Sequence, residues 1–403
     1  MKILHTADWH LGRSLYAKKE RHEEHTAFFE WLIKTIQEKQ IDLLLIAGDV
    51  FDTSAPSSTC QKLYYDLLIQ VLKAGCKSVV VVGGNHDSPS FLNAPKVALA
   101  ALNIHVVGCA TENTADELIV IHDEHNQPRL IIAAVPFLRE RDISHFTEGE
   151  QYAERSKRVN ENIRKHYEAI AEIADLKKQE LGSAIPIIAT GHLSVAGGKR
   201  NEDDGVRDIY VGNIQAVGSD IFPDVFEYVA LGHYHIPSVI KNHIRYCGSP
   251  IPMGFGEADQ TKCVYILDFS PTLTIETVPI PCFQKLVSIV GDQSAIASRL
   301  HALKNEETSV WVEIIYDGDA VFTDLATWVH EQTKNSVIEV LKIQNRQHVR
   351  HVLSASTPSE ALEELTIHDV FNRLLEKTSI PEEQRKTLKE TYQEIIENRN
   401  DNP

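Results

Sequence analysis

The sequence predicts an α/β protein built on a layered sheet, followed by a smaller α/β unit and a helical tail. Three observations predict this. Short apolar runs such as LLLIA at 43–47 and VVVV at 79–82 pass directly into glycine and a polar residue. That is the pattern of a buried parallel strand stopping at its carboxyl end. These runs alternate with helix-length amphipathic segments, the alternation of β-turn-α units. From Phe283 the rhythm changes to strand, helix, strand, helix, strand over roughly sixty residues, the size of a compact second unit.

Length and composition agree. A chain of 403 residues exceeds one ordinary core, and 43% hydrophobic with 24% charged residues is ordinary globular composition. The longest apolar runs are strand-length, far short of a membrane span. The start, MKILHTADWH, places Asp8 and His10 where a signal peptide needs its apolar region, so a cytoplasmic protein is predicted. Cysteines 60, 76, 109, 247, 263 and 282 form no C-x-x-C pair and read as reduced thiols. The net charge of −17 repels polyanions, so nucleic-acid binding would require metal ions, a local basic patch or a basic partner.

Each element has its own justification. KILHT at 2–6 is a strand ending in Asp8 and His10, which an extended backbone would project to one side. Residues 21–40 form a helix with Phe28, Trp31, Leu32 and Ile36 on one face. The strand at 42–46 ends in Gly48-Asp49, where glycine allows the sharp turn that presents Asp49. A helix from about 57 to 74 has Pro56 beside its start and Gly75 at its end. The strand at 77–82 ends in Gly83-Gly84-Asn85-His86-Asp87. A helix over 90–102 and strands at 104–107, 117–122 and 130–135 follow, then a charge-rich helix over 151–181. The strand at 185–190 ends in Gly191-His192, and that at 227–231 in Gly232-His233-Tyr234-His235. Residues 239–241, 244–247, 263–269 and 273–278 read as antiparallel strands closing the sheet layer. Pro279 and Pro281 mark a linker. The smaller unit takes strands at 285–290, 310–316 and 337–343 and helices at 293–305 and 322–333. Helical segments after Thr357, through Val370–Leu375 and 382–398, carry too few apolar residues to form a core alone.

The strand tips hold the chemistry. Asp8, His10, Asp49, Asn85, His192, His233 and His235 offer oxygen and imidazole donors with no thiolate. Such a set suits Mn²⁺, Fe²⁺, Mg²⁺ or Zn²⁺. Seven candidates are too many for one ion and fit two ions sharing a bridging carboxylate, an arrangement that activates water for phosphoester displacement. Each tip alone has a plainer reading, since a strand-terminal Asp commonly caps the next helix. Trp9 and Phe51 read as packing residues, and Asp52 either as a support for the ligands or as a turn hydrogen bond. Arg13, Lys18, Lys19 and Arg21, interleaved with Glu20, Glu23 and Glu24, read as a solvated face, and His166 and His301 as surface histidines.

The series D-x-H, G-D, G-N-H-D, G-H, G-H-x-H resembles, in order and type, the signature of calcineurin-like metallophosphoesterases. The resemblance implies that Asp8, His10, Asp49 and His235 hold one metal and Asp49, Asn85, His192 and His233 the other. It implies that His86 protonates the leaving oxygen or stabilises the phosphate, with Asp87 orienting it.

Beyond the ligands, HTADWHLG, AGDVFDT, GNHDS, PFLRERDI, IIATGHL, RDIYVG, YVALGHYH and RYCGSPIPMGF resemble the SbcD family. These are nuclease subunits of bacterial SbcCD complexes, related to Mre-type repair nucleases. The resemblance spans nearly the whole chain. It implies a four-layer metallophosphoesterase β-sandwich flanked by helices over 1–281, a small α/β capping domain over 282–345 that helps place DNA over the metals, and a helical tail over 346–403 that binds the ATPase partner SbcC. It also implies two divalent ions, manganese first, and a 3′-to-5′ exonuclease on double-stranded DNA ends that is an endonuclease on single strands and hairpins. Such an enzyme acts in DNA repair, replication and recombination, in the cytoplasm at the nucleoid, as a homodimer within a heterotetramer. Residues 64–72 and 91–102 are the candidate dimer helices, with packing inside one domain as the rival reading. An acidic subunit of this kind would bind duplex DNA weakly alone. A phosphatase or cyclic-nucleotide phosphodiesterase would share the metal tips and is the alternative, and a non-catalytic scaffold is the third reading.

Overall fold

The computed structural model describes residues 1–144, 151–182, 184–199, 216–320, 322 and 324–346. The described residues divide into two compact units, one of Met1–Ser288 with Ser309–Trp311, the other of Ile289–Thr308 and the described residues from Val312 to Arg346. Among the described residues, no helix is long and apolar enough to cross a membrane.

Two six-stranded sheets make the first unit. In the first sheet Lys2–Thr6, Leu43–Ala47, Ser78–Val82 and Ile104–Val107 run parallel, Cys263–Phe269 adds antiparallel beside Lys2–Thr6, and Leu273–Pro279 pairs antiparallel with Cys263–Phe269 at the edge. The second sheet runs Ser238–Lys241, Ile244–Tyr246, Tyr228–Gly232, Ile187–His192, Pro128–Ala133, Leu118–His122. The strands expected to close one layer are therefore shared between two sheets. Ile244–Tyr246 lies parallel to Tyr228–Gly232 rather than only antiparallel to its hairpin partner.

The alternation of side chains along the parallel strands explains the layering. Leu44, Ile46, Val79 and Val81 face a core with Phe28, Leu32 and Ile36 of the helix His22–Lys39 and Leu67, Leu68 and Val71 of the helix Ser58–Lys73. Their neighbours Leu43, Leu45, Val80 and Val82 face the other way, into a core shared with Ile132, Ile188, Tyr228 and Ala230 of the second sheet. The outer face of that sheet packs Ile131, Ala133, Ile187 and Val229 against Val159, Ile163, Tyr167 and Ile170 of the helix Tyr152–Leu181. Helix, sheet, sheet and helix are the four layers expected. A strand covered on both faces has no polar side, which is why its sequence reads as an unbroken apolar run. Each such Leu or Val removed from water contributes about 1.5–3 kcal/mol.

Several local expectations differ from the structure. The helix over 90–102 is two short ones, Pro89–Asn93 and Lys96–Ala100, because Pro95 has no amide hydrogen to continue the first. Residues Ser14–Leu15 and Lys19–Glu20 form a hairpin whose turn residues Tyr16 and Ala17 take φ of 53° and 54°. No glycine or asparagine announces that turn. Arg21 is buried, not solvated: its guanidinium donates to both oxygens of buried Glu24 and to the Pro252 carbonyl. His166 is also not a free surface residue, since its Nε2 lies 2.8 Å from Oε2 of the buried Glu117. All six cysteines are free thiols, four of them buried.

A separate three-stranded sheet has the order Lys285–Gly291, Val310–Tyr316, Ile338–Asn345 and is accompanied by helices Gln293–Leu303 and Leu325–Thr333. Asp292 caps the first helix, accepting from the Ala295 amide at 2.8 Å. The RDIYVG motif and, apart from Arg346, the expected helical tail lie outside the described residues.

Candidate metal centre

The strand tips meet at one edge, but not by simple extension of the strands. Lys2–Thr6 ends before Asp8, and Asp8 and His10 take left-handed φ of 53° and 48°. The extended-backbone argument for their common direction therefore fails, although both side chains turn inward and are buried. A parallel ladder between two loops replaces it: the Asp8 amide donates to Gly48 O at 3.0 Å, His10 to Asp49 O at 3.0 Å and Leu11 to Val50 O at 2.9 Å. Left-handed backbone costs a non-glycine residue roughly 1–2 kcal/mol and persists only where its surroundings dictate it. Here the ladder dictates it. Two glycines are required by contact rather than by turning. A Cβ on Gly84 would meet Asp49 Oδ1 at 2.1 Å, and one on Gly232 would meet Ala47 O at 2.0 Å.

Two contacts join the tips across the sheets. The His233 amide donates to Asp8 Oδ1 at 2.8 Å, and His192 Nδ1 lies 3.0 Å from Ala47 O. Donor atoms then converge. Those of Asp8, His10 and His235, of His10, Asp49 and His86, and of Asp8, Asp49 and His192 form three groups, each spanning less than 4.8 Å. Asn85 Oδ1 is 2.9 Å from His192 Nε2, and the His233 ring lies 5.4 Å from the His192 ring. The structure thus brings together all seven candidate ligands, with His86 beside them at 4.7 Å from the His10 ring.

Hydrogen-bond logic tests whether cations fit. The Ala47 carbonyl can only accept, so His192 Nδ1 carries a proton; once an incoming cation displaces the second proton, the ring turns a lone pair at Nε2 toward the site that Asn85 Oδ1 and, at 3.3 Å, Asp49 Oδ2 also face. His10 Nε2 and His235 Nε2 face one another at 3.1 Å while their Nδ1 atoms face carboxylates, Asp52 at 3.3 Å and Glu257 at 3.5 Å. Asp8 Oδ2 is buried without a hydrogen-bond partner. Lone pairs aimed at lone pairs in a buried cleft are unfavourable unless cations lie among them, and N/O donors suit divalent ions. The residues fit.

The ionisation of the bare residues shows the same demand for positive charge. Burial pushes the Asp8 carboxyl up to about 7. Burial works against a charged Asp49 as well, yet His192, His10 and His86 around it hold its carboxyl well below the usual range. For His192 burial opposes protonation, but Asp49, Asp8 and the Ala47 carbonyl outweigh it and raise the ring to about 9. Burial lowers His10 to about 4.

Around this cluster the structure assigns supporting contacts that sequence reading left open or missed. Asp52 touches His10 Nδ1 with a side-chain oxygen, which Arg13 also contacts at 3.2 Å, and its carbonyl accepts from His86 Nδ1 at 2.7 Å. The Asp87 carboxylate bonds to backbone amides around the His86 loop. Its oxygens accept from the amides of Gly84 at 2.9 Å, Val50 at 3.1 Å and Phe51 at 2.9 Å, binding the Asp49 loop to the His86 loop. Glu257 and Lys262 carried no motif; they follow RYCGSPIPMGF by only a few residues, and nothing local marks them as buried.

Comparison with known proteins adds an independent view. Residues 1–237 match the calcineurin-like phosphoesterase family, and residues 282–379 match a domain described as Type 5 capsule protein repressor C-terminal domain. The chain is 35% identical over 398 residues to the SbcD subunit of nuclease SbcCD from Escherichia coli K12, covering 97% of both chains. It is 34% identical over 288 residues to the Rhodobacter capsulatus protein of that name, covering 70% of this chain and 69% of the other. With the Bacillus subtilis protein of that name it shares 33% over 275 residues, 67% of each.

Proposed function

We propose a function on the premise that this chain belongs to the calcineurin-like phosphoesterase family and, within it, to the SbcD family of SbcCD nuclease subunits. It is a metal-dependent DNA nuclease subunit, a 3′-to-5′ exonuclease on double-stranded ends and an endonuclease on single strands and hairpins. It works in DNA repair, replication and recombination with an SbcC-type ATPase. The observation that carries the chemistry is the convergence of donor atoms from Asp8, His10, Asp49, Asn85, His192 and His235 in one buried cleft, a donor set that suits divalent cations. The DNA substrate is supported by the near full-length likeness to a protein named a nuclease.

Asp8, His10 and His235 would hold one ion, Asn85, His192 and His233 the other, and Asp49 would serve both. Manganese is the first choice, with Mg²⁺, Fe²⁺ or Zn²⁺ able to use the same donors. When bound, such a pair activates water and neutralises charge on the phosphoryl oxygens. The protein's part is to position and to move one proton. His86 gives its Nδ1 hydrogen to the Asp52 carbonyl, which fixes the ring and leaves Nε2 to deliver a proton to the departing oxygen. Asp87 keeps that loop registered against Asp49.

The net charge of −17 suits a subunit that takes its hold on DNA from metals and partner. Residues 282–345 serve as the capping domain and residues 346–403 as the SbcC-binding tail. Exposed Ile69, Val97 and Leu102 on and beside the helices at 58–73 and 96–100 support a homodimer within the heterotetramer. A cytoplasmic, nucleoid-associated location follows from that role. The test compares linear duplex, hairpin DNA and a small phosphodiester in Mn²⁺, with and without the SbcC-type partner. Cleavage of duplex ends and hairpins, raised by the partner, is expected. Turnover of the small ester alone would instead make the chain a phosphatase or cyclic-nucleotide phosphodiesterase.

A further inference from the structure

We propose that Glu257, backed by Lys262, is a positioning residue that fixes the tautomer of His235 and so the affinity of one of the two metal positions. The inference rests on the two-ion reading above. Glu257 ends the short 3-10 turn Phe255–Glu257 and is fully buried. Its two oxygens face different partners. Oε2 accepts from Lys262 Nζ and from the Met253 amide at 3.0 Å, both obligate donors. Oε1 lies 3.5 Å from His235 Nδ1, the polar atom it faces. Lys262, itself buried, also donates to the His235 carbonyl at 2.9 Å and to Ser249 Oγ at 3.2 Å. The pair therefore grips the same ligand twice, the carboxylate at its ring and the ammonium at its backbone.

A carboxylate at Nδ1 favours the Nδ1–H tautomer, which turns the Nε2 lone pair inward, toward His10 Nε2 at 3.1 Å. Outer carboxylates of this kind orient metal-binding imidazoles and raise their basicity. The two positions are unequal in this respect. His10 and His235 are each backed by a carboxylate, Asp52 and Glu257, whereas His192 is backed by the neutral Ala47 carbonyl. Behind the His10 and His235 imidazoles stand carboxylates that are themselves paired with Arg13 and Lys262.

Glu257→Gln makes a sharp test, because the amide has only one acceptor. Lys262 Nζ and the Met253 amide claim that oxygen, so the NH₂ group must face His235 Nδ1. The ring is then driven to carry its proton at Nε2, where the metal belongs. Mn²⁺ binding to the full chain, followed by calorimetry, should show one of two ions weakened about 10–100-fold and the other changed less than about threefold. Spectra of the metal-free protein labelled with ¹⁵N-histidine should show the His235 proton at Nδ1 in the wild type and at Nε2 in E257Q. Wild-type affinity for both ions, equal weakening of both, or an unmoved tautomer would overturn the inference. If the wild type takes up fewer than two ions, the two-ion reading falls, and the tautomer spectra still decide the role of Glu257. Should E257Q not fold, the Glu257→Ala, Lys262→Met double variant removes the buried pair together. It should weaken the same ion and leave His235 a mixture of tautomers, whereas unchanged tautomer and affinity would overturn the inference.

Discussion

His10 and His235 point their Nε2 atoms at each other across 3.1 Å, each ring backed at Nδ1 by a carboxylate, Asp52 or Glu257. Neither nitrogen has a proton to share if both rings obey their backing groups. The pair is a receptor for positive charge, and the neighbouring acids and bases predict how that receptor titrates.

Metal uptake should depend steeply on pH. Burial holds the Asp8 carboxyl up near 7, and Asp49 and Asp8, outweighing burial, hold the His192 ring up near 9. Both groups therefore retain protons at neutral pH that an incoming cation must displace. Mn²⁺ affinity should rise as pH rises from about 6 to about 9, with protons released on binding. Calorimetry in buffers of different ionisation enthalpy measures the release. An affinity flat across that range would contradict the scheme.

Asp49→Ala should disturb both ions at once, since its carboxylate approaches His192 at 3.3 Å on one side and His10 at 3.6 Å on the other. Nuclease activity should fall by about 10³-fold or more, the scale seen when a preorganised electrostatic contact is lost. Near-normal cleavage with two ions bound would sink the bridging role.

His86→Gln should behave differently. Manganese stoichiometry should remain that of the wild type, while cleavage slows by about 10²–10⁴-fold, the range of a lost general acid. Loss of an ion in this variant would make His86 a ligand.

Gly232→Ala tests the junction of the sheets. A Cβ there would sit 2.0 Å from the Ala47 carbonyl oxygen, a backbone atom that cannot swing aside. The metal-free protein should lose about 1–3 kcal/mol or more, read as a lower Tm in chelator. An unchanged Tm would mean the edge is more compliant than its contacts indicate.

The sandwich was legible because burial on both faces leaves its mark on every residue of Leu43–Ala47 and Ser78–Val82. The ligands were legible because Asp49, Asn85, His192, His233 and His235 follow glycine-marked strand ends, and Asp8 and His10 sit just past the first apolar strand. What escaped depends on distant partners. Arg21 looks like any surface arginine until Glu24 and the Pro252 carbonyl enclose it. The tight turn at Tyr16-Ala17 lacks the residues that favour left-handed backbone, so only its flanking strands reveal it. Glu257 and Lys262 lie more than twenty residues from the histidine motif they support. The common direction of Asp8 and His10 was reached by the wrong route, since a ladder of loop amides, not strand geometry, aims them.

The loops that meet at this edge come from two sheets that share an apolar core, and they cross the gap by contacts that include His192–Ala47 and His233–Asp8. Ions seated there would act as a suture along the seam of the sandwich. Any ligand that binds only the folded state adds stability that grows with the logarithm of its concentration relative to Kd. Chelation should then do more than silence the enzyme: the rim of both sheets should exchange amide hydrogens faster, and scarcity of metal would be felt as shortened protein lifetime.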